Sequence, residues 1–143
     1  MASGISDNGR KLIAQGTITW DGAGTYKVLL VDDTYSFSAA HSTVADVVAK
    51  EIDSTAHPTY SRKTLANRSV AIASNRAQCK ADCPIWSLLD AGTLGGAWIY
   101  KDGASDAARS LICFLDPADL ITSGVDVTLQ FGGNTTNGPV YQV

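Results

Sequence analysis

Glutamate is almost missing from this chain: Glu51 is the only one among fourteen acidic residues, and aspartate supplies the rest. Aspartate favours turns and caps, whereas glutamate favours helix interiors, so the balance leans toward a β protein with many turns. Charge as a whole is sparse, at 17% of residues, below the quarter or so of an ordinary domain. The 45% apolar share is typical and excludes a disordered chain. A surface so short of charge suggests that a partner covers part of it. Basic residues number only eleven, the net charge is −3, and the longest basic cluster is Arg62-Lys63. Direct nucleic-acid binding would need a basic excess arranged as a stripe, so none is expected. No apolar run approaches the ~20 residues of a membrane span, so no membrane partner is expected either. The opening MASGISDNGRK lacks the apolar centre of a signal peptide. Three cysteines, an odd count, then point to a reducing compartment.

The 143 residues suit one domain. Residues 1–10 are polar, with Ile5 the one large aliphatic, and read as a flexible N-terminal arm. Residues 11–143 read as a single β-sandwich domain. Ile18 and Trp20, a turn at Asp21-Gly22-Ala23-Gly24 and the run TYKVLLVD suggest a hairpin, with a short helix at 11–15 as an alternative for the segment before it. Residues 43–51 predict a short helix. Thr43 and Asp46 resemble a capping box, and Val44, Val47, Val48 and Ile52 fall at helical spacing. From residue 68 onward strands are expected near 68–74, 76–88, 96–101, 108–115, 124–131 and 139–143, separated by turn residues. The fold class is therefore all-β, an antiparallel sandwich with one short helix.

RAQCKADCPIW, residues 76–86, places two cysteines four apart. Ala77, Cys79, Ala81, Cys83 and Ile85 alternate with Arg76, Gln78, Lys80, Asp82 and Pro84, the period of a half-buried strand. Residues four apart in a strand are roughly 13 Å apart at ~3.3 Å per step. A disulfide needs Cα atoms within about 7 Å, and one zinc ion could not hold both sulfurs either. Cys79 and Cys83 therefore read as small hydrophobes facing the core, as does Cys113 in SLICFLD.

Motifs for nucleophilic, phosphate-binding, dinucleotide or metal chemistry are missing. LGGA, residues 94–97, is too short a glycine cluster to cradle phosphate and reads as a tight turn into a strand. His41 beside Ser42 and near Asp46 reads as a helix N-terminus rather than a triad. His57 before Pro58 reads as a loop residue. Asp32-Asp33 and Asp116 with Asp119 read as strand-end turns rather than calcium ligands. Trp20, Trp86 and Trp98 could form a sugar platform, but aromatics in sandwiches more often fill cores. No catalytic residue, metal or cofactor is expected.

Two strands are apolar on both faces. In 108–115, Ile112 and Phe114 face one way while Leu111, Cys113 and Leu115 face the other. In 28–31, VLLV has no polar face. Such strands need a second cover, which a helix could supply in part and a subunit interface in the rest. Val125, Val127, Leu129 and Phe131 instead alternate cleanly with polar residues.

RKLIAQGTITWDGAGTYKVLLVD, SRKTLANRSVAI, LGGAWIYKDG, LICFLD and GVDVTLQF, in that order and spacing over about residues 10–131, resemble a family of small structural proteins of tailed bacteriophages. The resemblance implies a capsid cement, or decoration, protein with a jelly-roll-like sandwich. Such a protein would sit on the outer surface of the virion head after assembly in the bacterial cytoplasm. Its partners would be the major capsid protein and itself, as a homodimer or trimer. The interface residues expected for that role are Ile5, Arg10 and Lys11 of the arm, Leu111 of a two-sided strand, and Tyr141 and Val143 of an edge strand. Similar-looking phage proteins belong to tails or fibres, so a carbohydrate-binding adhesion module is the alternative.

Overall fold

A computed structural model describes residues 4–116, 120–132, 134 and 136–143. Its elements are β1 (Gly4–Ile5), α1 (Asp7–Ala14), β2 (Tyr26–Asp32), β3 (Lys63–Thr64), β4 (Ser69–Ala73), β5 (Arg76–Asp82) and β6 (Ile85–Leu89). Then follow β7 (Gly92–Lys101), β8 (Ser110–Leu115), β9 (Leu120–Thr122), β10 (Val125–Thr128) and β11 (Asn137–Gln142). All the pairings are antiparallel. One sheet runs β1-β8-β7-β2-β3 with β9 beside β7, a second is β11-β5-β4, and a third is β10-β6. The fold is all-β and sandwich-like, as the composition and strand spacing predict.

The two-sided strands find their cover within the chain. Val28 and Leu30 of β2, with Ala97 and Ile99 of β7, face a first core shared with Cys79 and Ala81 of β5, Trp86 and Leu89 of β6, and Val127 of β10. Leu29 and Val31, with Trp98, Tyr100, Leu111 and Phe114, face a second core on the opposite side. Tyr35, Phe37, Val44 and Val47 close that side. No second subunit is required to bury Leu111, which is fully buried by its own chain.

Residues 43–51 do not form the expected helix. They make two 3-10 turns, Val44–Asp46 and Val48–Lys50. The cap is present: Asp46 Oδ2 accepts from the Ser42 and Thr43 backbone N–H groups at 2.8 and 2.9 Å. Val47 then leaves helical geometry, at φ −122° and ψ −11°. Three β-branched valines lower helix propensity, and Val44 and Val47 are buried, while Ile52 turns to the first core. The α-helix lies instead at Asp7–Ala14, so residues 4–10 are strand and helix rather than a free arm. Local propensity does not hold it, since Gly9 sits in its first turns. Docking does. Ser6 Oγ accepts the Gly9 N–H and donates to the Leu111 carbonyl, and the Ser6 N–H donates to the Ile112 carbonyl. A Cβ on Gly9 would stand 2.5 Å from that Ile112 oxygen.

Four more expectations change. Ile18 and Trp20 are buried but unpaired, so no hairpin forms there; β2 pairs with β7. The Arg68 guanidinium ties this loop down, donating to the Trp20 and Gly24 carbonyls over the Tyr26 ring. The strand expected over 76–88 breaks at Cys83-Pro84, where the chain crosses from the three-stranded to the two-stranded sheet. The alternation over 124–131 breaks at a register shift between Val125 and Val127, which leaves Val125 exposed. Gly95 and Gly96 lie inside β7 rather than in a turn. A Cβ on Gly95 would stand 2.0 Å from the Asp32 oxygen, so this glycine permits the close approach of β2.

Candidate functional site

The six residues expected at an interface separate into distinct places. Leu111 is buried in the second core. Tyr141 is buried too, edge-on to Trp20 at 5.2 Å between ring centroids, and burial pushes its hydroxyl far above the usual range. Ile5 is half-buried opposite Cys113. Ile5 and Tyr141 line one groove of about 200 Å³ between β1 and β11, together with Phe114 and Val140. Arg10 and Lys11 are exposed on α1, and Val143 is exposed beyond β11.

An exposed aliphatic surface that sequence reasoning missed lies on the three-stranded sheet. Ser74 and Asn75, both at positive φ (52° and 60°), form the two-residue turn between β4 and β5. Val70 pairs with Cys79, which pairs with Tyr141, so all three side chains share one face. Ile72 pairs with Ala77, and Ala77 exchanges both backbone hydrogen bonds with Val143 at 3.0 Å. These rows lie on the core-facing side, yet Val70, Ile72 and Val143 are 43%, 76% and 55% exposed. This end of the sheet therefore overhangs the sandwich. The opposite face carries Arg76, Gln78, Lys80 and Gln142, as a solvated face should. A second exposed aliphatic group, Ile85, Leu88 and Val125, belongs to the separate β6–β10 pair.

The single glutamate anchors the main polar assembly. Glu51 accepts from Arg62 Nε and Nη2 at 2.7 and 2.6 Å, and from the Tyr60 hydroxyl at 2.7 Å. Tyr60 Oη in turn accepts the Leu30 N–H. Arg62 Nη1 reaches Asp106 at 2.8 Å, Asp106 meets Arg109 at 2.6 Å, Arg109 meets Asp102 at 2.8 Å, and Asp102 meets Lys27 at 2.7 Å. Hydrogen bonds from Lys27 and Arg109 hold the Asp102 carboxyl well below the usual range, and those from Arg62 and Arg109 lower Asp106. The Glu51 hydrogen bond raises Arg62, and burial raises Tyr60. An open cavity of about 650 Å³, lined by Val48, Glu51, Ile52, Tyr60 and Arg62, lies beside the assembly. Glu51, Tyr60 and Arg62 are already joined to one another, which makes them a clasp between the 44–52 segment and the sheet.

The remaining candidates are separate from one another. The Tyr35 hydroxyl accepts from Trp98 Nε1 at 3.0 Å and lies 2.8 Å from His41 Nδ1, while Ser42 Oγ donates to the Ala40 carbonyl and Asp46 caps a turn. No hydrogen-bond relay joins Ser42, His41 and Asp46. His57 Nδ1 is 2.7 Å from the Asp90 carbonyl oxygen. Asp32 Oδ1 accepts from the Thr34 backbone and hydroxyl, as in a turn; Asp119 lies outside the described residues. Cys79, Cys83 and Cys113 are free and buried, as expected, although Cys113 faces the first core and Leu111 the second, contrary to the alternation read over 108–115. All three tryptophans are buried, and Trp20 and Trp86 donate to the Lys80 and Ser61 carbonyls. Among the described residues no group of three or more His, Cys, Asp or Glu could hold a metal, and no helix is long and apolar enough to cross a membrane. No protein-family model matches the chain, and neither the curated proteins nor the solved structures yield a match.

Proposed function

We propose that this protein is a non-enzymatic structural component of a tailed-phage virion, a cement protein that binds the outside of the head and bridges neighbouring major capsid subunits. One observation carries the reading: three exposed aliphatic side chains gather at the β4–β11 overhang (Val70, Ile72, Val143) and three at the β6–β10 pair (Ile85, Leu88, Val125), while Ile121 of β9 and Val48 stand apart from both groups. A bridge needs two contact surfaces on one stiff body, and contiguous exposed apolar surface marks interaction sites. The glycan-binding alternative loses its platform, because no tryptophan is available for stacking. A clamp that binds only the expanded shell stabilises that state by mass action.

The test is co-sedimentation of the purified protein with expanded and unexpanded phage shells that lack it. Saturable binding to expanded shells, with a gain in their heat resistance, is expected. Folded protein that pellets with neither shell overturns the proposal.

A further inference from the structure

We propose that β4 is a self-pairing edge: two copies of the chain join β4 to β4 across a two-fold axis through Ala71, forming one continuous six-stranded sheet. The inference stands on the backbone register and holds whether or not the shell-binding reading does.

Ala77 uses its N–H and C=O on Val143 of β11. In an antiparallel ladder, hydrogen-bonded and non-hydrogen-bonded pairs alternate. Ile72, opposite Ala77, therefore points its own N–H and C=O away from β5, and two residues back Val70 does the same. Among the described residues neither has a backbone partner on that side. The register centred on Ala71 puts Val70 opposite Ile72 of the second copy and Ile72 opposite its Val70. It forms four hydrogen bonds and satisfies every outward group of both residues. Centring on Val70 or Ile72 satisfies fewer.

The side chains agree with the same register. The overhang becomes a continuous apolar row across both copies: Val143, Ala77, Ile72, then Val70, Cys79 and Tyr141 of the second chain. Small residues, Ser69, Ala71 and Ala73, meet on the other face.

Charge selects a second copy as the occupant. A two-fold axis brings each residue against its own kind, so a charge in the strand would face a like charge; Ser69–Ala73 carries none. Arg68, next in sequence, is bound to loop carbonyls of its own chain. Arg76 would stand three strand spacings, about 14 Å, from Lys80 of the second copy, beyond the ~8 Å screening length at physiological salt. Edges kept monomeric usually carry lysine, proline or a bulge, and β4 has none of these. Five residues of strand make a small interface, so association should be weak and concentration-dependent.

Sedimentation equilibrium from about 5 to about 500 µM brackets such an affinity. The weight-average mass should rise from 15.0 kDa toward twice that value. Ile72→Lys, at an exposed position, should hold the protein at monomer mass with unchanged circular dichroism, and Leu88→Lys should associate like wild type. Register is read by mild copper-catalysed oxidation. Ala71→Cys should yield a reducible dimer, because its Cα would stand about 4.5 Å from its symmetry mate, within disulfide reach. Ala73→Cys should not, since its mate would lie about 13 Å along the strand. Monomer mass throughout the range, association that survives Ile72→Lys, or equal cross-linking of Ala71→Cys and Ala73→Cys would each overturn the proposal.

Discussion

Replacing Glu51 with glutamine tests whether the clasp holds the 44–52 segment to the sheet. The substitution keeps shape and removes charge. It sets an amide donor against one of the two Arg62 donors and halves the acceptor oxygens available to Arg62 and Tyr60. Breaking one partner of a buried ion pair costs about 3–5 kcal/mol. Two features reduce that here. The Glu51 side chain is 10% exposed and that of Arg62 22%, so water screens the pair in part. Arg62 also keeps Asp106 and is not left alone. A loss of about 2–3 kcal/mol follows, and at about 3 °C per kcal/mol for a chain of this size the melting temperature should fall by about 6–9 °C. Urea unfolding followed by tryptophan fluorescence should show a lower midpoint with the same slope. Arg62→Lys should lose a similar amount, since lysine cannot grip both carboxylate oxygens. A loss under about 0.5 kcal/mol for Glu51→Gln, the size of an exposed pair, would refute the reasoning.

Stability should fall on acidification. The Asp102, Asp106 and Asp46 carboxyls are held below the usual range by Lys27, by Arg62 and by the Thr43 backbone N–H, respectively. A depressed folded-state pKa stabilises above the unfolded value of about 3.9 and is lost as pH falls through the folded value. Urea midpoints should therefore drop from about pH 5 downward, and Asp102→Asn should flatten that slope; an unchanged midpoint at pH 3 would contradict the assignment. Burial raises the Cys79 and Cys113 thiols, so native protein at pH 8 should react slowly with an aromatic disulfide reagent and unfolded protein should release three thiols. Fast reaction of all three in the native state would show that the core faces are misassigned.

The sequence was legible wherever one face met one environment. In β5 the period-two alternation assigned Cys79 and Ala81 to the core without ambiguity. It failed at Pro84, because alternation in sequence says nothing about which sheet a residue joins. Val44, Val47 and Val48 mimicked a helix because i, i+3 and i+4 spacing also serves two consecutive 3-10 turns. Helix α1 was legible only in its second half, as the alternative helix at 11–15; its start at Asp7 was not, because DNGR is polar and that end is held by Ser6 bonding to Leu111 and Ile112, more than a hundred residues away. The polar assembly joins residues 27, 51, 60, 62, 102, 106 and 109, which no local pattern connects. One signal was available: a lone glutamate in an aspartate-rich chain suggests a site that needs the longer side chain. The β4 edge required the pairing register, since SVAIA alone does not say which of its backbone groups are free.

Two weak surfaces on one body have a consequence that neither has alone. A pair joined through β4 presents two β6–β10 patches at a fixed separation, because the linking sheet is continuous rather than hinged. If one patch binds a shell as proposed, the second binds at an effective concentration set by that geometry, and avidity can exceed either contact by 10²–10⁴-fold. Ile72→Lys would then weaken shell binding by about 10²-fold or more, through loss of pairing together with the loss of the overhang's own contact. Leu88→Lys would weaken it while leaving the dimer intact. Titrating both variants against expanded shells in a sedimentation assay, beside their dimer mass in solution, shows how much of each loss follows the loss of pairing. If Ile72→Lys binds shells as tightly as wild type, the β4 pairing plays no part in shell binding, even if it occurs in solution.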